Sequence, residues 1–210
     1  MKKLRILITA GPTREYLDPV RFISNSSTGE MGYALAREAK RLGHEVTLVS
    51  GPTALAAPKG MECISITSAE DLKNAIMSCW PKTDLLIMSA AVSDYKPSRL
   101  ATQKMAKSKT GFKLFLKPNP DILRYFGKRK GKRLIVGFSL DTQDVERKAV
   151  RKLNQKNLDF IAANWFSRNN NPFGKNRFSM LLLGRRGFRK KYANVSKMEA
   201  AKVILKEVIS

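Results

Sequence analysis

Residues 6–32 read ILITAGPTREYLDPVRFISNSSTGEMG, and their order decides the fold. Ile6, Leu7, Ile8 and Thr9 form a short apolar, β-branched run that Ala10, Gly11 and Pro12 stop sharply, the pattern of a buried parallel strand at its carboxyl end. A long polar loop follows with Arg14, Glu15, Asp18, Arg21 and Asn25. Ser26, Ser27, Thr28 and Gly29 then lead into a helical spacing of Met31, Ala34, Leu35, Ala39 and Leu42. Ligands of open α/β sheets bind outside the carboxyl ends of the strands. Free backbone N–H groups and the positive end of a helix favour a phosphate at such a place, so the stretch predicts an anion site.

Outward from it the same rhythm continues. Strand patterns at 46–49, 63–66, 84–88, 134–138, 158–163 and 179–183 alternate with helical patterns at 68–79, from Pro120 onward, at 142–154 and at 196–209. Ser68 with Asp71 and Ser196 with Glu199 have the spacing of capping boxes. The alternation predicts an α/β chain: a three-layer Rossmann-like fold with a mainly parallel sheet flanked by helices. Residues 96–109 are basic and aperiodic and are expected to form a flexible flap ahead of a strand at 112–116. No Pro/Ser/Gly-rich linker divides the chain, and 210 residues with 43% hydrophobic content suffice for one core, so a single domain over 1–210 is expected.

Charge and cysteine usage narrow the class. The net charge of +23 on its own points to nucleic acid or an anionic surface. The excess sits in the runs 128–133, 147–156 and 185–191, of which the first and last read as turns, and no interleaved aromatic signature of RNA binding accompanies them. A solvated basic surface is the preferred reading, steering of polyanionic small substrates the second, and nucleic-acid binding is unlikely. The basic start is followed by too short an apolar run for a signal peptide, and no stretch is long enough to span a membrane. Cys63 and Cys79 lack metal-ligand spacing, which favours a reduced, cytoplasmic protein.

Two nucleotide-binding rivals fail on their own requirements. Gly11 is far from Gly29 and Gly32, so no G-x-G-x-x-G fingerprint exists; the second strand ends in Ser50, Gly51 and Pro52 instead of an acid; and Arg99, not a lysine, follows Tyr95 by four. Hydride transfer is thereby disfavoured. No G-x-x-x-x-G-K-[ST] occurs either, which removes ordinary P-loop chemistry.

Residues 11–32, with 89–95 (SAAVSDY), 104–107 (KMAK), 117–122 (KPNPDI), 136–138 (VGF) and 156–159 (KNLD), resemble in order and spacing the phosphopantothenoylcysteine synthetase domain of coenzyme A biosynthesis. The resemblance covers nearly the whole chain. It implies a ligase that joins 4′-phosphopantothenate to cysteine through an acyl-nucleotidyl intermediate, with CTP favoured, ATP the alternative, Mg²⁺ required and no flavin. It also implies a homodimer.

Residue by residue, the resemblance implies that Asn25 and Lys104 are catalytic. It places Gly11, Ser27, Met88, Ser89, Ala90, Asp94, Lys104, Asn119, Pro120, Asp121, Ile122, Phe138, Lys152 and Lys156 on the nucleotide, and Arg21, Asn25, Ala90 and Ala91 on the acid substrate. No metal ligands are assigned. The bland alternatives are a turn residue for Asn25, a solvated loop lysine for Lys104, plain core for Phe138, a cap for Asp94 or Asp121, and a solvated face for Lys152 and Lys156. Departures from the family pattern are Ala106 within the flap lysines, Glu30 where lysine is usual, Ser139 and Asp141 after Phe138, and no acid in the loop 173–177. The flavin-dependent decarboxylase half that many bacterial members carry in front is not in this sequence; a free-standing synthetase, with a separate decarboxylase, or a fragment is expected.

Overall fold

The computed structural model describes residues 2–174 and 176–209. Lys175, within the loop 173–177, and the chain ends Met1 and Ser210 lie outside the described residues. In chain order the elements are β1 (Arg5–Ala10), β2 (Arg14–Tyr16), β3 (Phe22–Ser24), α1 (Glu30–Arg41), β4 (Glu45–Ser50), β5 (Glu62–Ser65), α2 (Ala69–Cys79), β6 (Leu85–Met88), β7 (Tyr95–Pro97), β8 (Leu116–Pro118), α3 (Ile122–Gly127), β9 (Leu134–Asp141), α4 (Val145–Gln155), β10 (Phe160–Trp165), β11 (Phe178–Gly184), β12 (Arg189–Val195) and α5 (Lys197–Ile209).

Eight strands form one sheet in the order β12-β11-β10-β9-β6-β1-β4-β5. The six from β10 to β5 are parallel, and β11 turns the far edge antiparallel. The central strands, β6 above all, are nearly continuous apolar runs because both faces are covered, as parallel strands require, whereas the edge strand β5 is largely exposed. On one face Ile6, Ile8, Leu48 and Ile87 meet Leu35, Ala36 and Ala39 of α1 and Ile204 and Leu205 of α5. On the other Leu7, Val49 and Leu86 meet Leu72 and Ile76 of α2, Phe126 of α3 and Leu153 of α4. The expected three-layer fold is therefore present, and the strand order reverses between β1 and β6, the switch point at which such sheets bind ligands.

The capping boxes are as expected. Ser68 accepts from Asp71 N at 3.1 Å while Asp71 accepts from Ser68 N at 2.9 Å; Ser196 and Glu199 exchange the equivalent bonds at 3.2 and 2.7 Å. Gly32 is required on α1. A Cβ there would lie 2.5 Å from Ala10 Cβ and 2.8 Å from Ser89 Oγ, so only glycine lets the helix start press against the ends of β1 and β6.

Three local expectations are corrected. The loop after β1 contains the antiparallel ladder β2–β3, paired Arg14 with Ser24 and Tyr16 with Phe22. The strand expected at 112–116 is shifted: only 116–118 is extended, as β8 paired with β7, because 111–115 has no partner strand. The basic residues Arg189, Lys190 and Lys191, expected in a turn, belong to β12, the sheet's outermost strand, after a tight turn at 185–187.

Candidate active site

The carboxyl ends of β1 and β6 are stitched together by their following loops. Ala91 N donates to Gly11 O at 2.9 Å and Thr13 N to Ala91 O at 3.2 Å. The fully buried Thr9 and Thr13 add hydroxyl acceptors for Ala90 N at 3.1 Å and Ser93 N at 3.0 Å. These bonds hold the 89–93 backbone open toward a cleft of two lobes, about 660 and 180 Å³, that share the wall formed by Ala90, Ala91, Phe138, Ser139, Leu140 and Phe173.

The larger lobe collects most of the expected residues. Asn25 stands at one side, its Nδ2 donating to Ala91 O at 3.1 Å, which leaves its second N–H available. Met88, Ala90, Ala91 and Asp94 line the floor, and Asn119, Pro120, Asp121 and Ile122 the opposite side. Asn119 is pinned by Nδ2 to Ser93 O at 2.9 Å and by its N–H to Asp94 O at 2.8 Å, while its buried Oδ1 has no partner. At the far end Lys152 pairs with Asp141 at 3.0 Å and Lys156 with Asp121 at 3.1 Å. Asp121 also caps α3 by accepting from Arg124 N at 3.0 Å, so its cap reading holds alongside its place in the lining.

Ser27 and Ser89 line the smaller lobe, at the start of α1. Gly29, the cap residue of that helix, has φ +82° and no side-chain cap bond, so the first N–H groups of α1 remain unbonded by a cap. Lys197 reaches the same lobe from the start of α5. Burial pulls its ammonium down to about 8, with the nearby Glu30 carboxylate opposing.

Three expected residues stand apart from both linings. Gly11 lies behind the floor as the acceptor for Ala91. Lys104 is exposed in the irregular flap. Arg21 is engaged in a clamp instead: its Nε donates to Asp18 at 2.9 Å and its Nη2 to Met105 O. Asp18, fully buried, also accepts from Val20 N and Arg21 N at 2.9 Å and from Met105 N at 3.1 Å. Burial alone raises its carboxyl, but these donors outweigh it and hold it at about 2. The clamp fastens the flap one residue from Lys104. Sequence reasoning missed Ser139, Phe173 and Lys197; Lys197 was visible only as the first residue after a capping serine.

Among the described residues no group of three or more His, Cys, Asp or Glu converges on a metal position. Mg²⁺ is commonly held by one or two carboxylates plus substrate phosphates, so the ion fits this site as part of a bound nucleotide, with Asp94 the lining carboxylate outside any ion pair.

A parallel α/β sheet whose switch point opens onto a cleft lined by lysines, amides and a free helix start defines a Rossmann-like protein built to hold an anionic ligand. The chain matches over residues 1–210 the family described as DNA/pantothenate metabolism flavoprotein C-terminal domain, and it belongs to that family. It is 43% identical over 204 residues to the Coenzyme A biosynthesis bifunctional protein CoaBC of Bacillus subtilis, covering 97% of this chain and 50% of that protein. The Escherichia coli protein of the same name is 40% identical over 191 residues, 89% of this chain and 47% of its own length. The chain thus spans about half the length of these curated relatives. The crystal structure of the C-terminal domain of a CoaBC superposes with a TM-score of 0.84 at 37% identity, covering 99% of this chain and 95% of that one.

Proposed function

We propose that the chain is a phosphopantothenate–cysteine ligase acting in coenzyme A biosynthesis, with CTP favoured over ATP. The carrying observation is the larger lobe, in which twelve residues expected from sequence converge beside the β1/β6 switch point. In the first step a carboxylate oxygen of 4′-phosphopantothenate attacks the nucleotide α-phosphorus, and the bond to the departing pyrophosphate breaks. In the second the neutral amine of cysteine attacks the acyl carbon, the nucleoside monophosphate leaves with the bonding pair, and the proton lost from the nitrogen passes to solvent.

An ionised carboxylate needs no general base, so the first step depends on alignment and charge neutralisation. Lys152 and Lys156 exchange their aspartate partners for phosphate oxygens, Lys104 closes with the flap, and the free N–H of Asn25 hydrogen-bonds the acyl oxygen as charge develops there. Mg²⁺, when bound with the nucleotide, supplies further charge neutralisation. The reaction uses no flavin.

A homodimer is part of the same reading. Nine of the fourteen exposed large apolar side chains among the described residues fall within 16–22 and 95–116, on the two small ladders and the flap. A patch of that kind marks an interface. The activity is tested by pyrophosphate release from purified protein with phosphopantothenate, cysteine and Mg²⁺, comparing CTP with ATP. Release that requires phosphopantothenate supports the ligase, and its absence with both nucleotides from folded protein overturns it.

A further inference from the structure

Asp141, at the end of β9, carries two ammonium groups. Its Oδ1 lies 3.3 Å from Nζ of Lys148, and its Oδ2 accepts from Nζ of Lys152 at 3.0 Å. The two lysines are four residues apart on α4, so they share one face of the helix, where like charges repel unless an anion lies between them. Of the two, Lys152 lines the larger lobe and Lys148 stands one turn back toward the helix start. The Asp141 side chain is 15% exposed, and these lysines are its only ion-pair partners among the described residues.

Lys156 is held differently. Its partner Asp121 is 42% exposed and also accepts from Arg124 N at 3.0 Å, so when Lys156 turns to a ligand, water takes its place on the carboxylate. Asp141 is too enclosed for water to do the same. An enclosed carboxylate that loses its cation and gains no other partner is strongly disfavoured, because its desolvation is no longer offset. With Lys148 on its other oxygen, Asp141 keeps one cation throughout. We infer that Lys148 is a positioning residue for the anionic ligand of the larger lobe: by keeping Asp141 paired, it lets Lys152 leave that carboxylate for a phosphate oxygen. Lys148 does this without touching the ligand. The naming of that ligand as a nucleotide rests on the ligase reading; the shared carboxylate does not. A cation that merely added to the local field would help binding whether or not residue 141 were charged, and this separates the two roles.

The test is isothermal titration calorimetry of the full chain with CTP and with ATP, each with Mg²⁺ and without phosphopantothenate or cysteine. Lys148→Met should weaken nucleotide binding about 5-fold, within the range of couplings inside one ion-pair network, and Lys148→Arg should restore it. In an Asp141→Asn background, where no carboxylate competes for Lys152, adding Lys148→Met should leave binding nearly unchanged. If circular dichroism shows that Asp141→Asn does not fold, Arg151→Met serves instead: it removes an exposed cation from the same helix that forms no ion pair with Asp141, and it should cost far less than Lys148→Met. Binding untouched by Lys148→Met, an equal loss in the Asp141→Asn background, or an equal loss from Arg151→Met overturns the assignment. Because binding is read without turnover, a nucleotide that binds with the Lys148 dependence intact but releases no pyrophosphate would sink the ligase and leave the shared carboxylate standing. Wild-type protein that binds neither nucleotide overturns both.

Discussion

At the residue scale, Asn25 shows how one side chain joins scaffold to chemistry. Its Nδ2 already donates to Ala91 O, the carbonyl that stitches the β1 and β6 loops. Asn25→Asp replaces that donor with a carboxylate facing a carbonyl oxygen. Turnover is expected to fall about 100-fold or more, the scale of losing a preorganised donor, while the melting temperature moves little because the site is exposed. Near-normal turnover would remove Asn25 from the mechanism. Gly32→Ala makes the opposite separation: with a Cβ 2.5 Å from Ala10 Cβ, it should destabilise by about 1–3 kcal/mol in urea unfolding. Two aspartates set the acid limit. Arg5, donating at 3.1 and 2.8 Å, holds Asp84 at about 2, and Asp18 is held there as well, against an ordinary 3.8. Because both are lowered by folding, the stability they contribute is present above about pH 4 and lost as pH falls toward 2. Unfolding free energy followed over that window should show a steep slope that Asp84→Asn reduces; an unchanged slope would mean Arg5 does not set the Asp84 carboxyl.

Elements explain why the flap is placed as it is. The β2–β3 ladder is only three residues a strand, yet it presents the Asp18 carboxylate to Met105 N and Arg21 to Met105 O, and Leu17 O accepts from Ala101 N at 2.9 Å. Lys104 is thus leashed at one side and free at its tip. Asp18→Asn should raise hydrogen exchange at Met105 about 10-fold or more and lower turnover; unchanged exchange there would show that the leash lies elsewhere. Sequence made the parallel core legible because a two-face-buried strand such as 85–88 is apolar throughout, and it made α2 and α5 legible through their capping boxes. It did not reveal β2–β3 or β7–β8, since three-residue ladders carry no readable period. Lys197 and Glu30 were equally opaque: 167 positions apart, they line one lobe only because α1 and α5 cover the same face of the sheet.

For the whole molecule, part of the basic surface is tied into local partnerships, while the net charge stays at +23. Arg189 pairs with Glu146 at 2.7 Å and Lys190 with Glu207 at 2.8 Å, Lys130 with Asp159 at 2.6 Å, and Arg129 and Arg133 lie over the rings of Tyr125 and Trp80 at 3.8 and 4.8 Å. Binding of this uncompensated excess to a random DNA duplex should be nonspecific and collapse between 50 and 200 mM salt, as counterion release dictates. Tight binding that survived at the upper salt concentration would favour a nucleic-acid role. The edge strand β12 gives those cations another meaning. An outermost strand leaves a row of backbone donors and acceptors that any passing extended chain can copy, and copying of that kind is how soluble proteins begin to stack into fibrils. With Arg189, Lys190 and Lys191 exposed in succession along it, the first two paired with Glu146 and Glu207, a second sheet approaching that rim meets solvated charged groups before it meets a hydrogen bond. What looked in the sequence like an address for nucleic acid is in the folded protein a barrier to self-templating.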